Sequence, residues 1–153
     1  MVRRTRYSWL KNLVLSILSN GDPMHGYMIY KRIEDAVGVR WKPSIGTFYR
    51  LLARLRDDGL INCFKQNRRT VCRITDRGIE HIVNEVLTHL PKFIGVLNEI
   101  LSAYLYIVRM RSTGVDPYIR ERIEKLFTTA NSIINIDTEI KKQALYNNTD
   151  RNS

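Results

Sequence analysis

From Ser44 to Asp58 the chain reads SIGTFYRLLARLRDD, and its apolar positions recur at helical spacing. Phe48, Leu51, Leu52 and Leu55 fall on one face, at i, i+3, i+4 and i+7. Thr47, Arg50 and Arg54 fall together on another. Such a helix docks by one side and offers a hydroxyl and two guanidiniums on the other. Upstream, Trp9, Leu10, Leu13, Val14, Ile17 and Leu18 predict a first helix from Ser8 to about Ser19, closed by Asn20-Gly21. Asp22-Pro23 predicts the start of a second helix, with Asp as the cap and Pro at the first helical position. Gly26, Ile29, Tyr30, Ile33 and Val37 line one side of it, and Gly38 ends it. A glycine within a helix costs about 1 kcal/mol relative to alanine, so a close helix contact is expected at Gly26. Val39 to Pro43 reads as a short loop with room for a β-bridge. Ser44 then caps the third helix and Gly59 closes it.

Beyond Gly59 the period changes to two. Leu60–Lys65 and Arg69–Ile74 predict a hairpin with Ile61, Cys63, Cys72 and Ile74 on the inward face. Helical spacing returns after Thr75, a cap, and runs from Ile79 to Val108, with a kink or break expected at Pro91. Asp116-Pro117 opens a last helix that is expected to end near Tyr146, leaving NNTDRNS as a disordered tail. The fold class expected is mainly α with a small β-hairpin. A winged helix-turn-helix DNA-binding domain would occupy residues 1–75, a helical dimerisation region 76–146 and the tail 147–153. Two segments of about 30 residues each span about 45 Å, more apolar length than so small a body covers. A symmetric dimer through Val86, Leu90, Leu97, Leu101, Ile123, Leu126 and Ile134 is therefore expected.

Charge sharpens the picture. Residues 1–75 carry 15 Lys and Arg against 5 Asp and Glu, whereas residues 76–153 carry 10 of each. The whole excess of +10 lies beside the third helix and hairpin, which argues for a polyanion partner, double-stranded DNA. The contacts expected are Arg3, Arg4 and Arg6 of a basic arm, Lys42 before the third helix, and Thr47, Arg50 and Arg54 on it. Lys65, Asn67, Arg68 and Arg69 at the hairpin tip would meet the phosphate backbone. The expected protein is a sequence-specific, dimeric DNA-binding regulator on a pseudo-palindromic site. The alternative is a sequence-neutral architectural DNA-binding protein of the nucleoid.

Other classes fit poorly. The basic start is not followed by a small-residue cleavage site, and no apolar stretch is expected to reach the roughly 18 residues that span a bilayer, so a cytoplasmic, nucleoid-associated protein without membrane contact is expected. Cys63 and Cys72 would lie opposite each other if Asn67 and Arg68 form a two-residue turn. Small buried hydrophobes are the favoured reading of both, over a cross-strand bridge. His25, His81 and His89 are scattered and read as solvated. Neither a metal site, a cofactor nor an enzymatic activity is expected. Nothing points to a particular small-molecule effector.

Four segments together resemble one family. His25-Gly26-Tyr27, Ser44-x-Gly46-Thr47-Phe48-Tyr49, Leu55-x-x-Asp58-Gly59-Leu60-Ile61 and Ile74-Thr75-x-x-Gly78, in order across roughly residues 8–85, resemble the PadR-like transcriptional regulators. The resemblance implies a winged helix-turn-helix with C-terminal dimerisation helices, operator binding and often repression. It implies DNA contacts at Ser44, Thr47 and Tyr49, and a mainly architectural role for His25 and Tyr27. The chain departs from the pattern at Met28, Ile45, Arg50 and Val71-Cys72. Arg50 could add base or phosphate contacts of its own.

Overall fold

The computed structural model describes residues 8–149, with side chains through residue 143. Its elements are α1 (Ser8–Leu18), β1 (Met24–His25), α2 (Gly26–Val37), α3 (Ile45–Asp57), β2 (Ile61–Gln66), β3 (Arg69–Ile74), α4 (Asp76–His81), α5 (Leu90–Arg111) and α6 (Pro117–Thr149). The chain divides into two compact units, one up to Leu97 and one from Asn98.

In the first unit, Leu10, Val14, Leu15 and Leu18 of α1, Ile29 and Ile33 of α2, and Phe48, Leu52 and Leu55 of α3 form one buried cluster. Leu60, Ile61 and Cys72 close it from the strand side, and Ile82 closes it from the turn after α4. These are the periodic apolar positions of three short helices, each with one buried face. The Phe48 ring is fully buried and lies 5.3 Å from the Tyr30 ring, so α2 and α3 are joined through their aromatics.

The sheet has three strands, in the order β1-β3-β2. Met24 pairs with Cys72 and His25 with Val71, and this corrects the expected start of the second helix. Asp22-Pro23 does not open it. The backbone of Met24 and His25 is taken by β3, and α2 begins at Gly26 with His25 as an extended cap residue. The third strand also comes from here rather than from the Val39–Pro43 loop. The hairpin itself pairs Cys63 with Cys72 and Gln66 with Arg69 around a two-residue turn. Asn67 and Arg68 hold φ of 49° and 65°, the left-handed pair that a two-residue hairpin requires.

A correction follows at the cysteines. Cys63 and Cys72 form a disulfide, with Cα atoms 4.1 Å apart. Directly opposed residues on antiparallel strands bring their side chains together, and that short approach allows the bridge. They are therefore not two free apolar thiols.

Thr75 caps α4, its Oγ1 accepting from Gly78 N at 3.1 Å and donating to the Gly59 carbonyl at 2.7 Å. This knot brings α4 so close to the end of α3 that a Cβ on Gly78 would collide with the Leu60 carbonyl oxygen and the Ile74 side chain. Gly78→Ala is expected to cost about 2 kcal/mol, by overpacking against backbone that cannot yield. Urea unfolding measures it; an unchanged midpoint would contradict the close approach.

Past α4 the helix loses regularity, as a wide turn at Ile82–Val86 passes into a tight turn at Leu87–His89. The cause is Pro91. It has no N–H for the Leu87 carbonyl, which takes the Leu90 N–H instead. The break expected at the proline thus falls in the turns before it. The helical run Asp76–Arg111 contains an 18-residue stretch of mean hydropathy 1.4, none of it buried. By length and composition this could cross a bilayer, which corrects the expectation that no apolar stretch is long enough. Within this run Phe93–Met110 carries only two charges, Glu99 and Arg109, among its Ile, Leu and Val.

In the second unit, Asp116 caps α6 by accepting from Tyr118 N and Ile119 N at 2.8 and 3.1 Å. Tyr104 Oη accepts the Asp116 N–H at 3.0 Å, tying the start of α6 to α5. α6 continues to Thr149, three residues beyond the expected end, because Asn147, Asn148 and Thr149 include no helix breaker.

Candidate nucleic-acid interface

The presentation of α3 begins one helix earlier. Tyr30 Oη donates to the Pro43 carbonyl at 2.9 Å, and Lys42 Nζ donates to Glu34 at 2.6 Å. Both bonds hold the turn between α2 and α3 from the α2 side. The Lys42 ammonium, followed by that of Lys31, pulls the Glu34 carboxyl below its ordinary value, and the same bond raises Lys42. Lys42 therefore braces the turn with its charge already paired.

Ser44 then caps α3, its Oγ accepting from Thr47 N at 3.2 Å. The same hydroxyl donates to Thr47 Oγ1 at 2.9 Å, and Arg50 Nη2 approaches that oxygen at 3.4 Å. Ser44, Thr47 and Arg50 thus form a polar chain along the first two turns, opposite the buried Phe48, Leu52 and Leu55. Arg54 continues the line and is exposed. An open groove of about 360 Å³ runs beside these residues, lined by Thr47, Arg50, Arg54 and also Lys11 of α1. Sequence reasoning did not place Lys11 here. A lone cation in α1 reads as outward-facing, and only helix packing shows which neighbours it joins.

Tyr49 occupies a different side. Its ring meets Phe48 at 5.1 Å and packs on Gly26, where a Cβ would lie 3.0 Å from the ring edge. The close contact expected at Gly26 is therefore with a side chain of α3. Lys65, Asn67, Arg68 and Arg69 are all exposed at the wing tip. A cleft of about 500 Å³ lined by His25, Asn67 and Arg69 adjoins it. Arg3, Arg4 and Arg6 lie outside the described residues.

His81 departs from the solvated reading. It is partly buried, with Nε2 3.2 Å from Asn12 Oδ1 of α1. Burial, and then the nearby Lys11 charge, lower its pKa, while Glu85 opposes them. Among the described residues no group of three His, Cys, Asp or Glu could hold a metal ion.

The residues expected to pair two chains are distributed along both units. Val86 packs against the core of the first unit. Leu90 and Leu97 are 39% and 38% exposed, and Leu101 and Ile123 are half-buried. Leu126 and Ile134 are exposed, in company with Ile100, Leu105, Phe127, Ile133 and Ile140. No residue of α5 is buried within the single chain.

Three packed helices followed by a hairpin with a cationic tip define a winged-helix protein. Residues 14–84, a little under half of the chain, match the model of the transcriptional regulator PadR-like family, so this segment is similar to a family of DNA-binding regulators. Solved structures agree in fold. A PadR family transcription regulator from Clostridium difficile superposes with a TM-score of 0.51 at 22% identity, covering 61% of this chain and 98% of its own. A PadR-like transcriptional regulator from Bacillus cereus gives 0.51 at 24% identity, covering 60% and 90%. RosR of H. salinarum gives 0.50 at 19% identity, covering 80% and 92%. No curated protein sequence matches the chain.

Proposed function

We propose that this chain is a homodimeric transcriptional repressor of the cytoplasm that binds a pseudo-palindromic operator, with α3 in the major groove and the wing on the phosphate backbone. The observation that carries the reading is the polar line Ser44, Thr47, Arg50 and Arg54, opposite the fully buried Phe48 of the same helix. A helix so divided is pinned by its core and cannot turn its guanidiniums away. Arg50 and Arg54 can each pair with a guanine edge, and Thr47 with a base or phosphate. Lys11 adds a phosphate contact at the groove's far wall. Arg68, Arg69 and Lys65 supply charge at the tip, and the Arg3, Arg4 and Arg6 arm supplies more.

The apolar residues of α5 and α6 support the dimer. Within one chain they lack a cover, and the first turns of the Asp76–Arg111 run are already held in the winged-helix core by Ile82 and Val86. A second copy buries the remainder symmetrically and sets two recognition helices about 34 Å apart, one turn of DNA.

Selection of the purified protein on a random duplex library at near-physiological salt tests this. An enriched inverted repeat is expected, and retention without any motif would replace this reading by an architectural one. On the selected site, Arg54→Ala is expected to bind about tenfold more weakly, with less of the loss on unrelated duplexes. An equal loss on all sequences would make Arg54 a phosphate contact only.

A further inference from the structure

We propose that Cys63–Cys72 is a thiol–disulfide exchange site, and that its state sets the order of the wing tip and with it the affinity for DNA. The proposal rests on the DNA-binding reading above. The bridge joins β2 to β3 where β1 ends its pairing, since Met24 pairs with Cys72 and His25 with Val71. Beyond Val71 the wing is two strands alone, with Lys65 opposite Thr70 and Gln66 opposite Arg69. An isolated two-stranded hairpin is marginally stable in water. Its turn here adds a cost, because Arg68 is a non-glycine residue at φ 65°. The side chains of this outer segment are exposed, so no core holds it. The disulfide is the covalent constraint closest to the cations that would meet phosphate.

Access is built in. Cys63 is half-buried and Cys72 only 4% exposed, and the pair lines an open cavity of about 260 Å³ with Tyr49 and Arg56 of α3 and Thr70 of β3. An incoming thiolate of a thiol reductant reaches Cys63 Sγ through this opening. A mixed disulfide forms there, and Cys72 leaves as a thiolate and takes up a proton. A second thiol then attacks the reductant's sulfur and releases Cys63. Two electrons and two protons enter the protein, and the reductant leaves as its disulfide. Because Tyr49 and Arg56 line the same cavity, the chemistry occurs against the recognition helix itself.

The experiment compares DNA binding by the full chain after equilibration with oxidised or reduced glutathione, using a random-sequence duplex at low salt and the selected operator. Alkylation of free thiols reports the state of each sample. The oxidised protein is expected to bind about tenfold more tightly, through a wing already ordered before contact. Amide exchange at residues 65–70 is expected to quicken on reduction while that of α1–α3 does not. The Cys63→Ser, Cys72→Ser double variant is expected to bind like reduced protein and to ignore glutathione. Equal affinity of the two wild-type states, or a double variant that still responds, would overturn the exchange site and leave DNA binding standing. Failure of the oxidised protein to bind any duplex would overturn the DNA reading, and this proposal with it.

Discussion

Placing glutamates at Leu97 and Leu101 is expected to convert the protein from dimer to monomer and to weaken operator binding by about a thousandfold. In the proposed dimer, two linked recognition helices engage the second half-site at the high effective concentration set by the first, and a monomer would lose that gain. Leu97 is 38% exposed and Leu101 half-buried, so the introduced carboxylates do not enter the winged-helix core. They enter a surface that would otherwise be dry, where an unpaired charge is costly. Light scattering gives the mass, circular dichroism checks that the helices persist, and titration of the inverted repeat gives the affinity. A variant that stays dimeric would move the interface elsewhere on α5 and α6. One that becomes monomeric yet keeps its affinity would sever dimerisation from operator binding.

Removing the wing's cations is expected to produce a different signature. In the Lys65→Ala, Arg68→Ala, Arg69→Ala variant, affinity should fall about a hundredfold on every sequence, since each phosphate contact contributes roughly 1 kcal/mol of non-specific binding. The salt dependence should also flatten. Each neutralised phosphate adds about 0.9 to the slope of log K against log salt, so the slope should decrease by about 2.7. All three side chains are exposed at the tip, so the fold is expected to survive. An unchanged salt slope would mean that the wing does not touch phosphate. A loss confined to the operator would mean that it reads bases. The two variants also separate from one another, because the wing triple should stay dimeric.

Much of this architecture was legible in the residues alone. Phe48, Leu52 and Leu55 announced the buried face of α3, and Ser44 its cap, because helix periodicity and capping are local rules. The turn at Asn67-Arg68 followed from the spacing of two alternating runs. Longer-range features were less visible. β1 is two residues long, too short to show a period, and the Asp22-Pro23 in front of it looks like a helix start. The opposition of Cys63 and Cys72 could be read from the register, but register does not decide between two thiols and a bridge. Lys11 in the α3 groove and His81 against Asn12 depend on where α1 packs, which no pattern within α1 encodes. In Asp76–Arg111 the three-to-four rhythm of apolar positions marks a helix stripe, whereas the span-like character lies in the average over 18 residues, which a rhythm does not display.

At the wing tip, the proposed phosphate contact and the backbone make opposite demands on one residue. Arg68 holds φ 65° at a turn position where two-residue hairpins favour glycine. Selecting variants for thermal resistance alone should enrich Arg68→Gly, since relief of the left-handed backbone is worth about 1 kcal/mol. Selecting for occupancy of DNA should restore the arginine. Parallel libraries at this single codon, sorted once by heat and once by DNA, are expected to diverge there, with arginine retained only in the second.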